Sequence, residues 1–250
     1  MSNRKISISK EYLEKILKPI NKISESCVLK GKDNFLYTVC STEDKSVILY
    51  AKLKTSSELE EPLKLNLISI KRLLSGLNSL GNLGDFSITL FENYIKCEVD
   101  KDGEKTHLKY HLVDDDIVKE FPLKIEKIVN LSFNTEFDLS PETSKRILAA
   151  SSFATDAQKV YFGLTDNIIT AEVNDKTIPN IDNMLIPITN KWKGDDLILD
   201  FPISIEIFKN LVSFKSDIKV KINNESKVAI FNIVEDNLLE LKYIVSALIK

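Results

Sequence analysis

A chain of 250 residues with 43% hydrophobic and 28% charged content is ordinary globular material, long enough for one large domain or two of ordinary size. Its net charge of −3 argues against simple electrostatic coating of nucleic acid, while leaving room for a local basic patch. Cys27, Cys40 and Cys97 have no metal-ligand spacing and suit a reduced, cytosolic chain; no apolar run approaches the roughly 18 residues of a membrane span, and Met1-Ser2-Asn3-Arg4-Lys5 leads into a strand rather than an apolar signal.

In chain order, residues 5–9 alternate as a strand. Residues 10–22 place Leu13, Ile16, Leu17 and Ile20 on one helical face and Lys15, Lys18 and Lys22 on the other. Pro19 predicts a kink or an early end to that helix. Strands follow at 35–40 and 46–53, then Leu63-Lys64-Leu65-Asn66, then a short helix over 69–80 ending before Gly81. Strands at 85–91, 94–100 and 105–113 are joined by the hairpin signals Glu92-Asn93 and Asp102-Gly103. An acidic connector, 114–126, opens on Asp114-Asp115-Asp116 and contains Pro122, dividing the chain into domains at 1–113 and 127–250.

The second half restarts with a strand at 130–139. Ser140-Pro141 then opens a helix that runs to residue 153, because Ser caps free N–H groups and Pro suits the first helical position. Strands follow at 159–164, 168–173, 184–192 and 196–201, a fourth helix at 204–214, and strands at 217–223, 227–234 and 239–247.

The halves are one pattern written twice. Leu63-Lys64-Leu65-Asn66 with Lys71-Arg72-Leu73-Leu74-Ser75 matches Leu197-Ile198-Leu199-Asp200 with Lys209-Asn210-Leu211-Val212-Ser213. Both halves close on Leu-Lys-Tyr, ending at Tyr110 and Tyr243, and Lys54-Thr55 matches Lys176-Thr177. Short connections make the strands antiparallel, with the helices covering one face of the sheets. The four helical stretches carry +6 between them, which leaves −9 for the rest of the chain. Charged helix faces are commonly just solvated; set along one surface, these would attract phosphate.

The duplication, the length, the Leu-x-Leu-Asn strand running into the Lys71-Arg72 helix, and the closing run 227–248 resemble the sliding DNA clamps, the processivity factors of replicative polymerases. The closest likeness is to the two-domain type, proliferating cell nuclear antigen and the clamps of T4-like bacteriophages. The resemblance covers nearly the whole chain. It implies an α+β DNA-clamp fold of two duplicated domains, each of two βαβββ units, with antiparallel sheets outside and four short helices on the inner face. It also implies a homotrimeric ring around duplex DNA, with a DNA polymerase and a clamp loader as partners, no cofactor and no metal. The compartment would be host cytosol for a viral protein and the nucleus for a eukaryotic one.

The resemblance assigns sequence-independent phosphate contacts to Lys10, Lys15, Lys18, Lys22, Lys71, Arg72, Lys145, Arg146 and Lys209. It assigns head-to-tail closure to two strand edges, one with Thr106, Leu108, Tyr110 and Leu112, the other with Leu185, Ile186 and Ile188. Pro187 in the second suits an edge. Partner peptides would dock at Val113, Ile117 and Val118 of the connector, beside Leu248 and Ile249, which equally suit a plain last strand.

His107 and His111 sit four apart in a strand without a third ligand and read as polar surface. No Gly-rich phosphate loop or nucleophile motif appears, so the chain reads as a non-enzyme. Competing readings are a non-ring processivity subunit of the same fold, a protein-interaction scaffold that never touches DNA, and an enzyme with an unrecognised site.

Overall fold

Serine opens each helix among the described residues. The computed structural model describes residues 4–6, 8–56, 58–59, 61–81, 84–122, 132–194 and 200–247. Among these lie four helices: α1 (Lys10–Ile23), α2 (Ile70–Ser79), α3 (Pro141–Phe153) and α4 (Ile205–Leu211). Ser9, Ser69, Ser140 and Ser204 stand at their N-caps in extended backbone, each hydroxyl accepting from the N–H three residues on. That bond satisfies one of the donors a helix start leaves open. In α1, α2 and α4 the buried positions are mainly aliphatic or aromatic, and in α3 they are Ser144, Ile147 and Ala150.

Contacts divide the chain into two units, one mainly of residues before 123 and one mainly of residues after it. Each also holds a short segment of the other half: 236–240 joins the first and 44–48 the second. The first unit contains β1 (Arg4–Ile6), β2 (Cys27–Lys32), β3 (Phe35–Ser41), most of β4 (Val47–Lys54), β5 (Leu63–Leu67), β6 (Asp85–Leu90), β7 (Tyr94–Lys101) and β8 (Glu104–His111). Its strands run side by side as β1-β6-β7-β8 and β5-β2-β3-β4. Leu13, Leu17, Leu29, Leu36, Leu65 and Leu73, from α1, β2, β3, β5 and α2, line a small apolar cavity in its core.

The second unit repeats this order. Its strands are β9 (Thr135–Leu139), β10 (Lys159–Thr165), β11 (Ile168–Asn174), β12 (Met184–Thr189), β13 (Lys193–Gly194), β14 (Phe201–Ser204), β15 (Ile218–Asn223), β16 (Val228–Glu235) and much of β17 (Leu239–Ser246). They run as β9-β15-β16-β17 and β14-β10-β11-β12, with β13 added beside β9. Each unit is thus βαβββ written twice, and the pairings are antiparallel. Here the core is aromatic: Phe162 packs against Phe137, Phe208 and Phe231 at centroid distances of 5.9, 6.3 and 6.0 Å. Equivalent hairpins turn on Asp102-Gly103 and Asp236-Asn237, all four residues at positive φ, the geometry a tight two-residue turn requires.

Four local expectations change. The first helix neither breaks nor ends at Pro19 but runs on to Ile23. Pro19 is buried with Ile16, Leu17 and Ile20, and this packing offsets the single hydrogen bond its ring removes. Strand β2 was not anticipated, because Gly31 and two lysines interrupt its apolar pattern. The expected strand 184–192 stops at Thr189. The fourth helix stops at Leu211, so Lys215 lies outside it and the four helices carry +5 rather than +6. Most of the expected strand 196–201, and residues 130–131 of the strand at 130–139, lie outside the described residues.

Candidate nucleic-acid interface and strand edges

The basic side chains on the four helices fall into two classes. Lys10 is 8% exposed, donates to the Gly81 carbonyl at 2.5 Å just past the end of α2, and pairs with Glu14. It complements a helix C-terminus and leaves the set of accessible cations, which corrects its expected role. Lys15 pairs with Glu11 at 2.9 Å and lies 4.8 Å from the Tyr12 ring centroid; Lys18 pairs with Glu14 at 3.0 Å. Tyr12 in turn donates to the Asp236 carboxylate at 2.8 Å, and this bond raises the phenol pKa above its ordinary value.

Lys22, Lys71, Arg72, Lys145, Arg146 and Lys209 are exposed and form no ion pair among the described residues. The six come from all four helices. Arg72 is held by packing rather than charge, its guanidinium 5.2 Å from the Tyr110 ring. The Tyr110 hydroxyl accepts from the Ser69 N–H at 3.0 Å and reaches the Ser69 carbonyl at 3.3 Å, which ties the start of α2 to β8.

Strands β8 and β12 each end a four-stranded sheet, so each has one edge without a strand neighbour among the described residues. On β8 the charged face leans back on β7. Lys105 lies 3.5 Å from Glu98, Lys109 sits 4.0 Å from the Tyr94 ring centroid, and His107 is opposite Glu98. The other face turns inward. Tyr110 is buried, and Leu108 lies so close to α2 that a Cβ on Gly76 would stand 2.7 Å from its Cδ2. Thr106 is exposed, and the Leu112 N–H donates to the Asn93 carbonyl at 2.9 Å. On β12, Ile186 is buried, Ile188 half-buried, and Leu185 and Met184 are exposed. Tyr110 and Ile186 therefore have only main chain to offer at an edge. Met184, the first residue of β12, falls within the strand expected at 184–192.

The connector is anchored at its start. Asn66 Nδ2 donates to the Val113 carbonyl at 3.0 Å and to Asp115 Oδ1 at 2.7 Å, and Lys64 pairs with Asp115 at 2.8 Å. Lys30 pairs with Glu120. Lys64 and then Asn66 hold the Asp115 carboxyl below its ordinary pKa. Val113 is half-buried, Ile117 is 58% exposed and Val118 is 4% exposed. Of the three, Ile117 thus offers the most accessible apolar side chain. Leu248 and Ile249 lie outside the described residues.

No protein-family model matches the chain, and no curated protein matches it in sequence. Solved structures match along its whole length. A structure of the C-terminal region of FEN-1 bound to A. fulgidus PCNA superposes with a TM-score of 0.78 at 12% identity, covering 100% of this chain and 99% of that one. Proliferating cellular nuclear antigen from Entamoeba histolytica gives 0.74 at 11%, covering 99% and 98%. A PCNA2–PCNA3 complex from Sulfolobus tokodaii gives 0.75 at 11%, covering 98% of each chain. Likeness at this identity establishes the fold: the chain has the fold of these PCNA structures.

Proposed function

We propose that this chain is a sliding clamp whose copies close head to tail into a homotrimeric ring around duplex DNA and hold a replicative polymerase on its template. The observation that carries the reading is the set of six exposed cations, without an ion pair among the described residues, distributed over the four described helices of a clamp fold in a net acidic chain. Such cations touch phosphate without reading bases, so a duplex can slide past them. The edges of β8 and β12 supply the unpaired backbone groups that closure uses. Partners would dock peptide segments at the connector around Val113 and exposed Ile117; one of the similar structures is of PCNA with the C-terminal region of FEN-1 bound. A clamp loader completes the set of partners. The work is topological, so no catalytic group is needed.

Two measurements test this together. Light scattering across a dilution series should give a species near three times 28.4 kDa, about 85 kDa. Replacing Lys71, Arg72, Lys145 and Arg146 together by Glu should keep that mass while weakening retention on duplex DNA at least about a hundredfold. A monomer at every concentration that still binds duplex would point to the non-ring processivity subunit. A trimer whose DNA retention ignores the four substitutions would overturn the DNA reading in favour of a scaffold.

A further inference from the structure

The sheet β5-β2-β3-β4 has one face with an unusual composition. Its four strands contain Lys30, Lys32, Lys52, Lys54 and Lys64 and not one Asp or Glu. Leu29, Leu36, Leu65 and Leu67 line the core cavity, and Leu49, Ala51 and Leu53 are fully buried. Alternation along each strand therefore sends all five lysines to the opposite face. Register groups them with aromatic rings: Lys30 lies opposite both Tyr37 and Lys64, Lys32 lies opposite Phe35, and Lys52 Nζ is 3.8 Å from the Phe35 ring centroid.

The second unit repeats the topology but not this chemistry. Strands β14, β10, β11 and β12 carry one lysine, Lys159, and one glutamate, Glu172. Lys176, just beyond β11, is bridged to Glu172 at 3.2 Å and to Asp200 at 2.7 Å. The lysine face is thus a property of the first unit and not a by-product of the fold.

Part of the face is already covered by an acidic chain. Asp115 and Glu120 of the connector pair with Lys64 and Lys30, while Lys32 and Lys54 remain exposed and Lys52 rests on Phe35. We infer that Lys32, Lys52 and Lys54, with Phe35 between them, form a docking surface for an extended acidic segment of a partner protein, its carboxylates alternating with apolar side chains. The connector shows how the occupant is recognised, since it is itself an acidic segment held by the neighbouring lysines of the same face. A nucleic-acid strand would share the charge but not that precedent. The inference does not depend on ring closure, because every element of the face belongs to one copy of the chain.

The test uses fluorescence anisotropy with the full chain and a short fluorescein-labelled peptide alternating Glu with Leu. Its counterparts are the same peptide with Lys in place of Glu, and an oligo-dT strand. The Glu–Leu peptide should bind saturably and weaken as salt rises. Lys32→Glu with Lys54→Glu should weaken it about tenfold, and the neutral pair Lys32→Gln with Lys54→Gln by less. Both lysines are exposed, so the fold survives either pair. Lys159→Glu on the equivalent face of the second unit should leave binding unchanged. Absence of saturable binding, equal binding of the Lys–Leu peptide, or indifference to the Lys32 and Lys54 substitutions overturns the proposal. Tighter binding of oligo-dT that is lost in the same variants overturns it in favour of a single-strand platform.

Discussion

Residues that look alike in this chain do different jobs according to burial and neighbours. Lys10 and Lys22 open and close the same helix, yet the first is buried against a helix end and the second is solvated. The cysteines follow the same rule. Burial pushes the thiols of Cys27 and Cys97 up to about 12, and raises that of Cys40 as well. Since the thiolate is the reactive form, iodoacetamide at neutral pH should label none of the three in the native state and all of them in denaturant. The serine caps can be tested singly. Ser140→Ala removes the bond to the Thr143 N–H and should cost about 1 kcal/mol in urea unfolding, whereas Ser140→Gly should cost only a few tenths.

At the level of elements, carboxylates are held by neighbours within a strand, across strands and in turns. Lys96 and then Lys105 hold the Glu98 carboxyl below its ordinary pKa, Lys221 and Lys219 do so for Glu136, and bonds from Thr177 do so for Asp175. Asp115 of the connector behaves alike through Lys64. A carboxyl whose folded pKa is depressed stabilises the fold above its unfolded pKa, near 4, and loses that contribution as pH falls through the folded value. The urea midpoint should therefore hold steady from pH 7 to about 5 and drop below about 4. Replacing Glu136 by Gln should flatten part of that drop, a comparison that assigns it to named pairs.

Over the whole molecule, most of the fold was legible because the duplication stated it twice. Where one half was faint the other was clear: Ser140-Pro141 announced its helix plainly, whereas the start of α2 rests on Ser69 alone. What escaped was decided by tertiary packing. Nothing local says that Pro19 will be carried by a buried face, or that Lys10 will fold over the end of α2, 71 residues away. The candidate site was legible as residue types on helix faces. Which lysines are already paired was not, because Glu11 and Glu14 lie on the same stripe as their partners.

The edges of β8 and β12 differ in a way that constrains any assembly built on them. Strand β12 reads Met-Leu-Ile-Pro-Ile-Thr without a charge, whereas β8 carries Lys105, Lys109 and both histidines of the chain. Two copies of β8 paired antiparallel about His107 would set Lys105 against Lys109, like charges across a ladder. Pairing β8 with β12 meets no such repulsion. Copies joined that way all point in one direction, so the resulting object has two unlike sides. In the proposed ring, anything bound could then tell forward from backward along the ring's axis.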